Sequence, residues 1–163
     1  MCCRYYIEET TEMQAIVSDM MRSSLVRKWN ELYPIKTYGE MSPTDIVPVI
    51  ASNRNRQRAV PASYYFEWEH LIGNNGKTKT GDKYAIQPQG SSMTWLCGLY
   101  RFENDMPFFV ILTREPGEQI RFIHDRMPLI LPEHTVNSWI DPDADPEKLI
   151  REAVTDLVAE KVG

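Results

Sequence analysis

Apolar side chains recur at helical spacing near the start of the chain. Met13, Ile16, Val17, Met20, Met21 and Leu25 predict one amphipathic helix over residues 11–31, with Thr11 and Gln14 fitting a capping box. The stretch "YPIKTYGEMSPTDIVPVI" is broken by Pro and Gly and ends as a short β-branched strand. The pattern then turns to short runs rich in aromatic and β-branched residues. "VPASYYFEW", "KYAIQP", "TWLCGLY" and "PFFVILT" read as strands of a largely antiparallel sheet. "HLIGNNGKTKTGDKY" carries Asn-Gly and reads as a polar hairpin between two of them. Near the end, Asp145 makes an N-cap with Pro146 at the first helical position, predicting a helix through about Glu160. Leu149, Ile150, Ala153, Leu157 and Val158 would be its apolar face. The expected class is α+β, with strands in the middle and helices at the two ends.

Composition changes this picture little. The 163 residues suit a single domain spanning 1–163, and 42% hydrophobic with 25% charged residues is ordinary for a soluble protein. No apolar run approaches the roughly 18 residues of a membrane span, and "CCRYYIEETTEM" lacks the apolar core of a signal peptide. The expected compartment is the reducing cytoplasm, with no membrane partner. Cys2, Cys3 and Cys97 include no CxxC pair, and His70, His124 and His134 are scattered, so no metal and no cofactor are expected. Cys97 reads as a small buried residue. The net charge of −5 argues against a general nucleic-acid binder. That charge is local, however. Residues 141–160 hold seven acids against Lys148 and Arg151, leaving the remainder of the chain neutral and free to carry a basic groove.

Charge says nothing about the opening "MCCRYYIEE". If Met1 is removed, Cys2 presents an α-amine and a thiol on adjacent carbons, and that 1,2-aminothiol can capture an aldehyde as a thiazolidine ring. The plainer account is a pair of incidental residues leading into a first strand. Arg4 beside them could lower the thiol's pKa or hold a phosphate. Glu67 lies between Phe66 and Trp68 in a strand, where aromatic neighbours could desolvate it, floor a pocket and ready it for proton transfer. Its plainer account is an edge glutamate facing water. "RFIHDRMPLIL" sets His124, Asp125 and Arg126 before an apolar strand, or simply forms a capped turn.

Taken in order, Met-Cys-x-Arg, "SPTDIVPVI", "VPASYYFEW", "LTREPG" and "IHDRMPLIL" resemble the SOS response-associated peptidase (SRAP) family over nearly the whole chain. The resemblance implies a mainly antiparallel, barrel-like β core with peripheral helices at both ends. It also implies protection of abasic sites in single-stranded DNA by a covalent thiazolidine crosslink, after the protein removes its own initiator methionine. Cys2 matches the family's crosslinking nucleophile. Glu67 matches the glutamate implicated in methionine removal and proton shuttling, and His124 the histidine that assists sugar ring opening and crosslink reversal. Arg4, Pro43, Thr113 and Arg126 match positions facing the DNA. The expected partner is therefore single-stranded DNA containing abasic sites, met by a monomer that is nucleoid-associated when bound.

Two departures stand out. Between Ile50 and Pro61 the chain has only Ala51 to Val60, where the family carries a Trp-Gly pair and an Asn-Ala-Arg-x-Glu motif. Asn53, Arg54, Asn55 and Arg56 echo that motif too close to Glu67 to take its role. Cys3 replaces a usual glycine. The alternatives are a peptidase with an N-terminal nucleophile acting on other polypeptides, and a single-stranded-DNA-binding module with impaired chemistry.

Overall fold

The computed structural model describes residues 4–52, 56–73, 76–104 and 106–163. In chain order, strand β1 (Arg4–Ile7) leads into helices α1 (Thr11–Met21) and α2 (Ser24–Leu32), then β2 (Gly39–Met41) and β3 (Ile50–Ala51). The long strands follow: β4 (Gln57–Ala62), β5 (Tyr64–Ile72), β6 (Thr78–Pro88), β7 (Thr94–Glu103) and β8 (Met106–Ile111). Short strands β9 (Thr113–Arg114), β10 (Met127–Pro128) and β11 (Ile130–Leu131) precede helices α3 (Val136–Ile140) and α4 (Pro146–Arg151), and β12 (Leu157–Lys161) ends the order.

One five-stranded sheet runs β12-β6-β5-β1-β2, and a second runs β11-β7-β4-β3 with β8 added to β7. Strands pair antiparallel throughout the described residues. The α+β class and mainly antiparallel core therefore hold, but the sheets do not close into a barrel. Tyr5, Ile7, Met41, Tyr65 and Ile86 of the first sheet share one buried core with Val60, Trp95, Leu96, Ile130 and Leu131 of the second. Met13 and Val17 of α1 join it. Trp139 of α3 donates its indole N–H to the Arg58 carbonyl at 2.9 Å, tying the helix to β4. No helix among the described residues is long and apolar enough to cross a membrane.

Three local expectations need correction. The single helix over 11–31 is two, because Ser23 takes an extended ψ of 130° between them; serine competes for backbone hydrogen bonds and favours such breaks. The first cap is Thr10, whose Oγ1 accepts from the Met13 N–H at 3.3 Å, not Thr11. The last helix stops at Arg151, and Leu157–Lys161 instead pairs with β6 from Leu157↔Pro88 to Lys161↔Tyr84. Helices so short depend on tertiary packing. The open edge of β6 gives the β-branched tail a ladder of backbone partners. Elsewhere, the Asn-Gly hairpin joins β5 and β6, with Gly76 at φ 72°; Asn74 and Asn75 lie outside the described residues.

Candidate active site

Strand β5 lies at the centre of its sheet, between β1 and β6. Alternation along "YYFEWEHLI" turns Tyr65 and Glu67 to one face and Phe66 and Trp68 to the other. Glu67 is buried, only 6% exposed. Its Oε1 accepts from the N–H of Trp68 at 3.2 Å, while Oε2 is buried with no hydrogen-bond partner among the described residues. Burying a carboxylate oxygen without a donor is costly, and this atom keeps its capacity to accept a hydrogen bond. The expected desolvation of Glu67 is present, but its aromatic neighbours do not floor its pocket. Phe66 and Trp68 lie under the Lys83 ammonium, 3.7 Å and 5.2 Å from their ring centroids, and Phe66 packs edge-on against Tyr6 and Tyr64. On the Glu67 side the cross-strand neighbour is Tyr84, which meets Phe122 edge-on at 5.6 Å.

Phe122 belongs to the turn that delivers His124. Buried Ile120 and Ile123 anchor this turn, and the His70 N–H of β5 donates to the Ile123 carbonyl at 2.9 Å. His124 is 7% exposed. Its Nδ1 accepts from the Arg126 N–H at 3.0 Å, yet also lies 2.8 Å from an Asp125 carboxylate oxygen. The two contacts require opposite protonation at Nδ1. The peptide plane fixes the amide proton, whereas Asp125 is largely in solvent, so the neutral ring is assigned with its proton on Nε2. That Nε2 is buried and has no partner among the described residues. Burial lowers the His124 pKa, with the Glu67 carboxylate opposing and His70 reinforcing the shift. An unfilled acceptor on Glu67 and an unfilled donor on His124 are thus electrostatically coupled, and such a pair can move a proton on a bound substrate.

The other candidates form two clusters. Arg126 donates three hydrogen bonds to Thr113, one to its carbonyl at 2.7 Å and two to its hydroxyl at 2.9 Å and 3.3 Å, beside the β9–β10 pair and two residues past His124. Arg4, opposite Phe66 in the register, donates to Glu40 at 2.7 Å and to Ser42 Oγ at 3.3 Å. Pro43 follows Ser42 in an exposed turn. Burial pushes the Glu40 pKa up, but hydrogen bonds from Arg4 and Lys83 outweigh it and hold the carboxyl below its usual range. Cys2 and Cys3 lie outside the described residues, as do Asn53, Arg54 and Asn55. On either side of that trio β3 and β4 pair antiparallel, with Ile50 opposite Ala59 and Ala51 opposite Arg58.

Sequence reasoning missed His70, whose ring centroid lies 4.0 Å from that of His124. Three positions along a regular strand from Glu67, it would be assigned to the opposite face. The β5–β6 register slips between Trp68 and His70, so Gly81 and Asp82 together oppose Glu69. Such a bulge bends and twists the pair and re-aims side chains. A Cβ on Gly81 would stand 2.7 Å from Glu69 Oε2 and 3.0 Å from Glu69 Cβ, so the close crossing favours glycine, a larger residue obliging Glu69 to shift. That glycine inside a strand pattern was the signal available.

The family model described as SOS response associated peptidase (SRAP) matches residues 50–162. Abasic site processing protein YoqW of Bacillus subtilis is 32% identical over 96 residues, covering 55% of this chain and 41% of its own length. An abasic site processing protein of Saccharomyces cerevisiae is 32% identical over 89 residues, 52% of this chain and 23% of its own length. The chain thus spans less than half the length of these curated relatives. A solved Bacteroides thetaiotaomicron protein superposes with a TM-score of 0.72 over 99% of this chain and 92% of that one, at 14% identity. A Bordetella bronchiseptica protein gives 0.58 over 99% and 100% of the two chains, at 13% identity. At these identities the structural likeness speaks for the fold alone. With the family model covering more than half of its length, the chain belongs to the SOS response-associated peptidase family.

Proposed function

We propose that this protein captures abasic sites in single-stranded DNA through Cys2, once Met1 has been removed. The observation that carries the reading is the pair of unfilled buried atoms, Glu67 Oε2 and His124 Nε2, at the strand beside which β1 begins. Arg4 pairs with Phe66, the residue before Glu67.

The chemistry balances. Hydrolysis of the Met1–Cys2 bond consumes one water and releases methionine with a free amine; Glu67 serves as base. The abasic sugar opens to its aldehyde with His124 Nε2–H donating to the ring oxygen. The Cys2 amine then condenses with the aldehyde, expelling water, and the thiol adds across the imine to close the thiazolidine. Glu67 takes up the amine's proton and returns it to the leaving hydroxyl. Arg4, Pro43, Thr113 and Arg126 line the path of the strand, the arginines on phosphates. No cofactor enters, and the reducing cytoplasm keeps the thiol available.

The names of the curated relatives support abasic-site processing as the reaction class. The test is incubation with single-stranded DNA carrying one abasic site. A heat-resistant adduct is expected, absent with Cys2→Ala, in protein whose intact mass lacks Met1; no adduct from the unmutated, trimmed protein overturns the reading. The short β3–β4 hairpin favours one rival, a module that binds single-stranded DNA without reacting. That rival predicts retention of DNA on native gels and its complete release on heating.

A further inference from the structure

Three residues after Glu67, His70 is exposed on its outer side and lies across the buried ring of His124, the planes tilted by 49° and the centroids 4.0 Å apart. Its backbone N–H holds the residue immediately before His124, bonding the Ile123 carbonyl at 2.9 Å. The β5–β6 pairing resumes at His70↔Thr80 after the register slips, and the bond to Ile123 lies outside that ladder. We propose that His70 is a positioning residue for His124, keeping that ring neutral and turned so that its Nε2–H meets the substrate.

The inference rests on the proposed capture of abasic sites for what His124 does, but not for what His70 does to it. Two imidazolium rings at this separation repel, an effect that the solvent reaching His70 reduces without removing. Protonating His124 also costs it the Arg126 amide, since Nδ1 must then donate, and its nearest acceptor is Asp125. Among the described residues the charged or titratable groups bearing on His124 are Glu67 and His70 from β5 and Asp125 from its own turn. Glu67 and Asp125 favour the cation, and His70 opposes it. Burial remains the largest cause of the lowered His124 pKa, so losing His70 lessens that shift and eases protonation, and a protonated ring would turn its Nδ1–H to Asp125.

Nitrogen NMR of the full chain tests this without DNA. In the unmutated protein the neutral His124 ring should show the proton on Nε2. His70→Gln and His70→Phe should both raise the His124 titration midpoint, Phe included because it keeps a ring but not the charge. The acid limb of the adduct-formation profile should move upward in pH by the same interval. An unmoved midpoint in both variants overturns the proposal, as does an Nδ1–H tautomer in the unmutated protein. A midpoint that rises with Gln but not with Phe overturns the charge argument and leaves packing alone. Failure of the unmutated protein to form any adduct refutes the proposed function, while the NMR titration still decides the role of His70.

Discussion

Replacing Glu67 by Gln should separate stability from chemistry. The carboxylate is 6% exposed, and only Oε1 has a donor, the Trp68 N–H at 3.2 Å. Holding an ion there costs several kcal/mol of lost hydration, which one amide does not offset. Gln keeps the Oε1 bond and replaces the idle charged oxygen with an idle NH2, whose burial costs about 1–3 kcal/mol. The net gain should be about 2 kcal/mol. For a domain of this size each kcal/mol moves the melting point by roughly 2–4 °C, so E67Q should melt about 4–8 °C higher. Adduct formation with abasic single-stranded DNA should fall by about 10²–10⁴-fold, the usual worth of a positioned acid–base group. Circular dichroism melts at neutral pH and a denaturing gel time course give the two numbers. Intact mass taken alongside separates lost crosslinking from a retained Met1. An E67Q variant that melts at or below the unmutated protein, or that crosslinks at the same rate, would refute the reasoning.

Three further outcomes follow from the same structure. The His124 pKa is lowered in the fold, mainly by burial, so the unfolded chain binds more protons below about pH 6.5. Stability should therefore be full above that pH and fall as the solution is acidified, and His124→Gln should flatten this slope in urea titrations run below about pH 6.5. Gly98 lies in β7 opposite Ile111 of β8, and a Cβ there would overlap the Val110 backbone carbonyl. Gly98→Ala should cost about 1–3 kcal/mol by urea denaturation, and an unchanged midpoint would show the hairpin to be looser than this. Arg126→Ala should weaken binding of undamaged single-stranded DNA and reduce the salt slope by about 0.7, read by fluorescence anisotropy; an unaltered slope would remove Arg126 from the DNA path.

Much of this protein was set by local pattern. The alternation in "YYFEW" is enough to put Glu67 on the Tyr65 side of its strand, because side chains on a strand point to alternate faces whatever lies around them. Asp145 and Pro146 start their helix as read, the Asp145 side chain accepting from the Glu147 N–H at 3.0 Å. Cys97 is fully buried among apolar neighbours, as its run of residues indicated. The ordered motifs placed the chain in its family before any coordinate was known.

Tertiary contact decided the rest. The apolar residues of "VTDLVAEKV" recur at helical spacing, and only the edge of β6 selects the strand, which buries Leu157 and leaves Val158 exposed. Ser23 splits a helix that periodicity alone would continue. Above all, the meeting of His70 with His124 needs a bulge on a neighbouring strand and a turn returning from fifty residues away, neither of which leaves a mark at His70 itself. Periodicity reports which way a side chain faces relative to its own backbone. What stands opposite it depends on backbone hydrogen bonds between distant segments, and those are satisfied only once the sheets have assembled.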